Sequence, residues 1–303
     1  MNQLSPNQLK NLYQQGENIM SLLRNFEESN KNTEEIIEVS YDLQAGSYIS
    51  ALDDESMAKH KAEYGAAIAK EILALCNPES VLEAGVGEAT TLCEVIGNLS
   101  EKTKAYGFDL CWSRLAHAKL WLDRNSISNV NLCTGSLFKI PFRTNSIDVV
   151  YTSHSIEPNG GYEQPILQEL YRVTKKYLIL LEPGYELASQ DAKIRMKSHG
   201  YCKNLVKVSR ELNYLVTKHE LFPVTTNPLN PTAITIIAKK SSSESTECSV
   251  LACPKTGSPL WQYDEVLFSP EALCVYPIIS GIPCLRSENA IVASYYPELS
   301  QRL

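Results

Sequence analysis

Ser80-Val81-Leu82-Glu83-Ala84-Gly85-Val86-Gly87-Glu88-Ala89-Thr90-Thr91 decides how this chain is to be read. A short apolar strand runs into an acidic residue, two closely spaced glycines and then a helix. Glycine takes backbone angles closed to other residues and carries no Cβ, so the main chain can approach a ligand while the next helix presents unpaired N–H groups. The dinucleotide fingerprint needs Gly-x-Gly-x-x-Gly, its third glycine letting helix and strand pack beside a pyrophosphate. That third position is Thr90 here, and no Gly-Lys-Ser/Thr follows to make a phosphate loop. What remains is Glu83-x-Gly85-x-Gly87, with Asp109 22 residues after Gly87, closing the apolar run Ala105-Tyr106-Gly107-Phe108. An acid at that position suits a ribose with both hydroxyls free.

On these residues the chain resembles the class I S-adenosylmethionine-dependent methyltransferases, whose first motif is an acid with Gly-x-Gly and whose second strand ends in a ribose-binding acid. The resemblance implies S-adenosyl-L-methionine as cofactor. It assigns Glu83 to the methionine ammonium, Gly85 and Gly87 to the ligand-facing turn, Asp109 to the ribose, Leu110 and Leu137 to the adenine faces, and Ser153 to the same site. Val39-Ser40-Tyr41-Asp42-Leu43-Gln44-Ala45-Gly46-Ser47-Tyr48 is similar to a Tyr-Asp-x-x-Ala-x-x-Tyr stretch that many small-molecule members fold over the cofactor, adding Tyr41 and Tyr48. Seven residues apart, the two tyrosines share a face of a helix, although Gly46 opposes an unbroken one. The alternative is two half-buried aromatics. After the third strand the family commonly has Gly-Asp and an apolar residue, the acid accepting from the adenine amino group; this chain has Gly135-Ser136-Leu137, which leaves a hydroxyl for the base.

Strands and helices alternate outward from this turn. Helical periodicity marks Ala58 to Leu75, stopped by Asn77-Pro78, and Ser113 to Leu122, with Leu115, Ala118 and Leu122 on one face. Val130 to Thr134 and Ser146 to Ser153 read as the third and fourth strands. Pro165 to Val173 is a helix, and the continuous apolar run Tyr177 to Leu181 a strand covered on both faces. A short mixed segment runs to Val208, and Asn213 to Thr217 with Ala233 to Ala238 form a closing pair resembling the family's antiparallel sixth and seventh strands. The expected fold class is therefore α/β: a doubly wound, Rossmann-like methyltransferase sheet with an antiparallel last strand. Residues 1–57 form a helical N-terminal lid or flank, 58–240 the cofactor-binding domain, 241–248 a Ser/Glu linker and 249–303 a small C-terminal α+β domain. In that last part, Cys253-Pro254-Lys255-Thr256 and Tyr276-Pro277-Ile278-Ile279-Ser280-Gly281-Ile282-Pro283 resemble the zinc-ribbon-like family that includes methyltransferase activator subunits. A structural zinc needs four thiolate or imidazole ligands. Thr256 stands where the family has its second cysteine, and Cys274 and Cys284 are not a Cys-x-x-Cys pair, so the fold is expected without the metal.

Composition bounds the rest. Hydrophobic content of 44% over 303 residues supports about two packed domains, and no apolar stretch approaches the ~20 residues of a spanning helix. The polar N-terminus has no signal-peptide core, and nine scattered cysteines fit reduced thiols, so a cytoplasmic protein without a membrane partner is expected. A net charge of −7 disfavours a large nucleic-acid footprint, as does the tail, where three Lys/Arg face seven Asp/Glu. Oligomeric state is left open.

Methyl transfer from a sulfonium is an in-line displacement, so the protein mainly positions the nucleophile and needs a base only when the acceptor loses a proton. The loop Ser153-His154-Ser155-Ile156-Glu157-Pro158-Asn159 lacks the Asn/Asp-Pro-Pro-aromatic of nucleic-acid amine methyltransferases and the Pro-Cys of pyrimidine-carbon methyltransferases. It offers His154 as general base with Glu157 as its partner, or a histidine that merely hydrogen-bonds the loop while Glu157 caps the next turn. Asn159, Glu182, Tyr185 and Asn227 are the expected acceptor-binding residues, Asn227 within the loop Thr226-Asn227-Pro228-Leu229-Asn230-Pro231. The expected reaction is methyl transfer to an oxygen or nitrogen of a small polar metabolite, such as an activated sugar. An RNA or protein methyltransferase and a catalytically silent scaffold are the alternatives.

Overall fold

A computed structural model describes residues 4–27, 31–225, 227–240 and 249–300; the expected linker 241–248 lies outside the described residues. The chain opens with four helices, α1 (Pro6–Gln14), α2 (Ile19–Phe26), α3 (Glu34–Asp42) and α4 (Ser47–Ala51). Their starts follow from side-chain caps: Ser5, Asn18 and Thr33 each accept from the amide three residues on. The break expected at Gly46 is present, with φ +93° between α3 and α4. Helix α5 (Glu55–Leu75) begins three residues before its apolar periodicity because Asp54 caps it by accepting from the Met57 amide.

The sheet then builds as β1 (Ser80–Ala84), α6 (Thr90–Gly97), β2 (Lys104–Asp109), α7 (Trp112–Arg124), β3 (Val130–Thr134), β4 (Ile147–Ser153), α8 (Glu163–Val173) and β5 (Thr174–Pro183). It is completed by α9 (Gln190–Ser198), α10 (Leu205–Glu211), β6 (Leu215–Leu221) and β7 (Thr232–Ala238). The strand order is β3-β2-β1-β4-β5-β7-β6. Strand β7 is antiparallel to both β5 and β6, so of the expected antiparallel pair only β7 runs against the sheet. Helix α10 replaces part of the expected irregular segment before Val208; its buried Leu205, Val206 and Ser209 supply the helical repeat.

The doubly wound arrangement explains the unbroken apolar strands. Val81, Val149, Tyr151, Ile179 and Leu181 pack with α5, α6 and α7, whereas their neighbours Leu82, Val150, Leu178 and Leu180 pack with α8 and α10. Alternate side chains thus enter opposite cores. Order reverses between β1 and β4, and that switch point opens a crevice at the carboxyl ends of β1, β2 and β4.

After the linker, β8 (Trp261–Tyr263), β9 (Val266–Ser269), β10 (Cys274–Ile279), β11 (Ile282–Pro283) and β12 (Ile291–Val292) make a small antiparallel sheet, followed by the single-turn α11 (Tyr296–Leu299). This unit adds to the β3 edge through a parallel bridge between Thr134 and Cys284 and a second bridge between Phe142 and Leu251. Lys119 Nζ donates to the Ser280 carbonyl at 2.9 Å, and Leu260, Tyr276 and Leu285 join the core beneath α8. At the expected zinc position Cys253 Sγ lies 3.3 Å from the Tyr276 hydroxyl, while Cys284 sits apart at the β3 edge. Among the described residues no group of three or more His, Cys, Asp or Glu side chains is arranged to hold a metal, and no helix is long and apolar enough to cross a membrane.

Candidate functional site

The crevice deepens into a cavity of about 340 Å³ lined by strand ends on one side and by α3, α5 and the post-β4 loop on the other. Gly85 and Gly87 take φ of +76° and +54°. A Cβ on Gly85 would stand 2.2 Å from Ser155 Cβ, and one on Gly87 2.8 Å from an Arg114 guanidinium nitrogen, so both angle and space require glycine. Asp109 fixes the turn, accepting from the Gly87 amide and the Cys111 amide, each at 2.9 Å. Its carboxylate still has lone-pair capacity toward the cavity it lines.

Glu83 is buried at the end of β1, where it accepts from the Tyr151 hydroxyl at 2.9 Å. Burial pushes its carboxyl up to about 8, against the pull of Tyr151 and the nearby Lys61 ammonium. Lys61 itself donates to Thr91 Oγ1 at 3.1 Å, and burial lowers its pKa. An acid and an amine side by side in one cavity complement a zwitterionic amino acid. Leu110, Gly135, Leu137 and Phe138 line a more apolar stretch suited to a base.

Tyr41 and Tyr48 come from separate helices yet converge on one group, the Arg114 guanidinium, which lies 5.2 Å and 4.3 Å from their ring centroids. Arg114 is 5% exposed, lines the cavity, and its Nε has no hydrogen-bond partner. Among the described residues Glu88 is its ion-pair partner, at 3.8 Å, with the Asp109 charge also acting on it, and Glu88 accepts in addition from the Gly46 and Ile49 amides at 3.1 and 2.8 Å. Glu88 of the glycine turn therefore ties the N-terminal helices over the site. A buried guanidinium nitrogen without a hydrogen bond is costly unless a ligand brings an acceptor to it.

At the other end His154 takes φ +56° and is clamped from both sides. Its Nδ1 pairs with Glu157, and its Nε2 lies 2.8 Å from Thr232 Oγ1 on β7. Burial alone would depress the imidazole pKa, but the hydrogen bond and charge of Glu157 outweigh it and raise it. Burial would raise Glu157, yet the imidazole, the Tyr201 hydroxyl and Asn230 hold it below the usual carboxylate value. His154 lines the cavity with Asn159, Asn227, Asn230 and Thr232; Glu157 stands behind it. Ser153 also lines the cavity, its hydroxyl 3.2 Å from that of Tyr64. Thr226, in the expected acceptor loop, lies outside the described residues.

Besides Glu157, three expected residues do not face the cavity. Glu182 is 2% exposed beneath the post-β4 loop, accepting from the amides of Ser155, Ile156 and Glu157 at 3.1, 3.1 and 3.0 Å. Three consecutive amides leaving a strand need an acceptor, and Glu182 supplies it. Tyr185 begins a short 3₁₀ turn outside the cavity, with Lys193, Lys197 and Lys203 each 5.9 Å from its ring. Ser136 turns from the cavity to donate to Glu34 of α3, and accepts from the Phe138 amide at 3.0 Å.

Sequence reasoning missed Glu34, Lys61, Tyr64, Arg114 and Thr232, all of which line the cavity, as does Asn230 of the expected acceptor loop. Arg114 had a signal, since it precedes Ala118 and Leu122 at steps of four and so shares their buried stripe. Lys61, Tyr64 and Ile68 likewise follow one face of α5. Glu34 and Thr232 reach the site only through tertiary packing.

Residues 81–177 match the family model described as a methyltransferase domain. No curated protein sequence matches the chain at a significant level. Among solved structures, a candidate O-methyltransferase from Nostoc punctiforme is 13% identical, with 66% of this chain and 60% of that chain covered and a TM-score of 0.51. A SAM-dependent methyltransferase from Aquifex aeolicus is 20% identical, covering 63% and 96%, with a TM-score of 0.47. Magnesium protoporphyrin IX methyltransferase from Synechocystis, with bound SAH, is 13% identical, covering 60% and 84%, with a TM-score of 0.48. Residues 81–177 are thus similar to a methyltransferase domain, and the order of the sheet and the donor set along the cavity agree with that likeness and with S-adenosyl-L-methionine as the cofactor.

Proposed function

We propose that this enzyme methylates an oxygen or nitrogen of a small polar acceptor, an activated sugar being one such molecule, with His154 as general base. The observation that carries this reading is the His154–Glu157 pair at the cavity wall. Glu157 accepts from Nδ1–H and so fixes the tautomer whose Nε2 lone pair faces Thr232. In the reaction an acceptor hydroxyl or ammonium gives its proton to Nε2, and Glu157 stabilises the imidazolium that results. The cofactor supplies an electrophilic methyl carbon on a sulfonium; the protein aligns the nucleophile with it.

In this reading Glu83 accepts from the methionine ammonium and Lys61 pairs with its carboxylate. Asp109 accepts from the ribose hydroxyls, Leu110 and Leu137 cover the adenine faces, and Arg114 donates to ligand oxygens between Tyr41 and Tyr48. Asn159, Asn227 and Asn230 line the acceptor end. Residues 1–57 act as the lid and 249–303 as a metal-free accessory unit, joined to the catalytic domain by 241–248. The eight described cysteines are free thiols, which suits the reducing cytoplasm.

The test incubates the enzyme and methyl-labelled cofactor with a panel of hydroxylated and amine metabolites, including nucleotide sugars, alongside bulk RNA and protein. Label is expected in the small-molecule fraction and to require His154. Label in RNA or protein would overturn the acceptor class, and full turnover by His154→Ala would remove the base.

A further inference from the structure

Glu34 is the one acid that α3 puts into the cavity. It lines the same wall as Gly135, Leu137 and Phe138, and the Ser136 hydroxyl donates to its Oε1. No donor among the described residues is bonded to its Oε2. Ser136 is the position at which the resembling family carries its adenine-reading acid, so the carboxylate missing from the strand end is present in space, delivered by a helix 102 residues earlier in the chain.

The C-terminal unit holds that helix. Arg286 pairs with Glu38, one turn after Glu34 on α3, and with Glu288 of its own segment. Burial pushes the Glu34 carboxyl up, while the Ser136 hydroxyl and the Arg286 charge pull it down. Trp112 Nε1 and Lys119 Nζ donate to the carbonyls of Ile279 and Ser280 at 3.4 and 2.9 Å, seating the Tyr-Pro-Ile-x-x-Gly-Ile-Pro turn on α7 beside α3.

We propose that Glu34 supplies the carboxylate that reads the exocyclic amine of the cofactor's adenine, and that Arg286 positions it by fastening α3 to the C-terminal unit. The inference rests on the cofactor placement given above. A carboxylate is acceptor-only, so it bonds a 6-amino group and repels a 6-oxo group. The tail thereby gains a role that needs no metal: it holds the base-reading helix in place.

Calorimetry with S-adenosylhomocysteine and S-inosylhomocysteine, which differ in that 6-substituent, tests both parts. The intact enzyme is expected to prefer the adenosine form at least about tenfold, since a buried polar group left facing the wrong partner is penalised. Glu34→Gln, whose amide can also donate, should abolish most of that preference with little change in melting temperature, and Glu34→Gln/Ser136→Asp should restore it by returning an acid to the strand end. Arg286→Ala should weaken S-adenosylhomocysteine binding roughly five- to tenfold and narrow the preference, with the exchanged pair Glu38→Arg/Arg286→Glu recovering both. Full preference in Glu34→Gln would overturn the assignment of Glu34 alone. Wild-type affinity and preference in Arg286→Ala would overturn the positioning role. An intact enzyme that binds neither nucleoside would overturn this inference together with the cofactor placement beneath it.

Discussion

The two ends of the cavity are built from different materials. The cofactor end rests on strand termini: Glu83 and Gly85 at the end of β1, Asp109 and Leu110 at the end of β2, Leu137 just beyond β3 and Ser153 closing β4. The end proposed for the acceptor is assembled from a loop histidine, asparagines between β6 and β7, and a threonine on the antiparallel strand. Sheet register fixes the first set to within a residue, because parallel pairing of β1 with β2 and β4 leaves their carboxyl ends level. Nothing comparable fixes the second. The first end is therefore suited to one invariant ligand and the second to whatever acceptor the loops specify.

The sharpest way to break this division is to remove the base. His154→Ala should lower kcat by about 10²- to 10⁴-fold while the Kd for S-adenosylhomocysteine stays within about twofold, as read by steady-state kinetics and calorimetry. A comparable loss of cofactor affinity would mean that the two ends share a residue and are not separable.

The converse substitution is Asp109→Ala. It removes the charged acceptor proposed for the ribose and bonded to two backbone amides, and should raise the Kd for S-adenosylhomocysteine by about 10- to 100-fold. Restoring saturation with excess cofactor should then recover most of kcat. A kcat that stays low at saturation would extend the role of Asp109 from holding the cofactor to aligning its methyl group.

The same division explains what was legible before the structure. The glycine turn, Asp109 and the alternation of strands with helices specify a sheet whose ligand edge follows from topology, so the cofactor end could be located from spacing. Asn230 falls in the expected acceptor loop and Thr232 just before the expected closing strand; the fold of β7 back against β5 brings Thr232 to His154 and Asn230 to Glu157. Glu182 was misplaced for the opposite reason. It does sit at the ligand edge, but three loop amides claim its oxygens. Sequence reveals that an acid is present at a strand end, not which donors reach it first.

A smaller effect separates the ends by pH. Burial raises the Glu83 carboxyl to about 8, so it is largely protonated at neutral pH, and only the carboxylate attracts an ammonium. Binding S-adenosylhomocysteine then releases a proton, and affinity should rise between pH 6 and 8 by at most about tenfold per unit. Glu83→Gln should flatten that dependence in calorimetry. Turnover rises with pH as well, since the raised pKa of His154 keeps it protonated to higher pH and activity grows as it becomes neutral. Glu157→Gln should move the acidic limb of the kcat profile to lower pH while leaving the affinity profile in place.

The least effect is expected at Tyr185. Its ring carries three lysine ammonium groups at 5.9 Å, contacts worth about 0.5–1 kcal/mol each at exposed sites, and it lies outside the cavity. Tyr185→Ala should therefore leave the cofactor Kd and kcat within about twofold. The informative quantity is KM for the acceptor. If KM is unchanged, the acceptor end stops at His154, Asn227 and Thr232. If KM rises alone for an anionic acceptor, the lysines of α9 and of the turn before α10 form its outer rim, and the acceptor is longer than the cavity that methylates it.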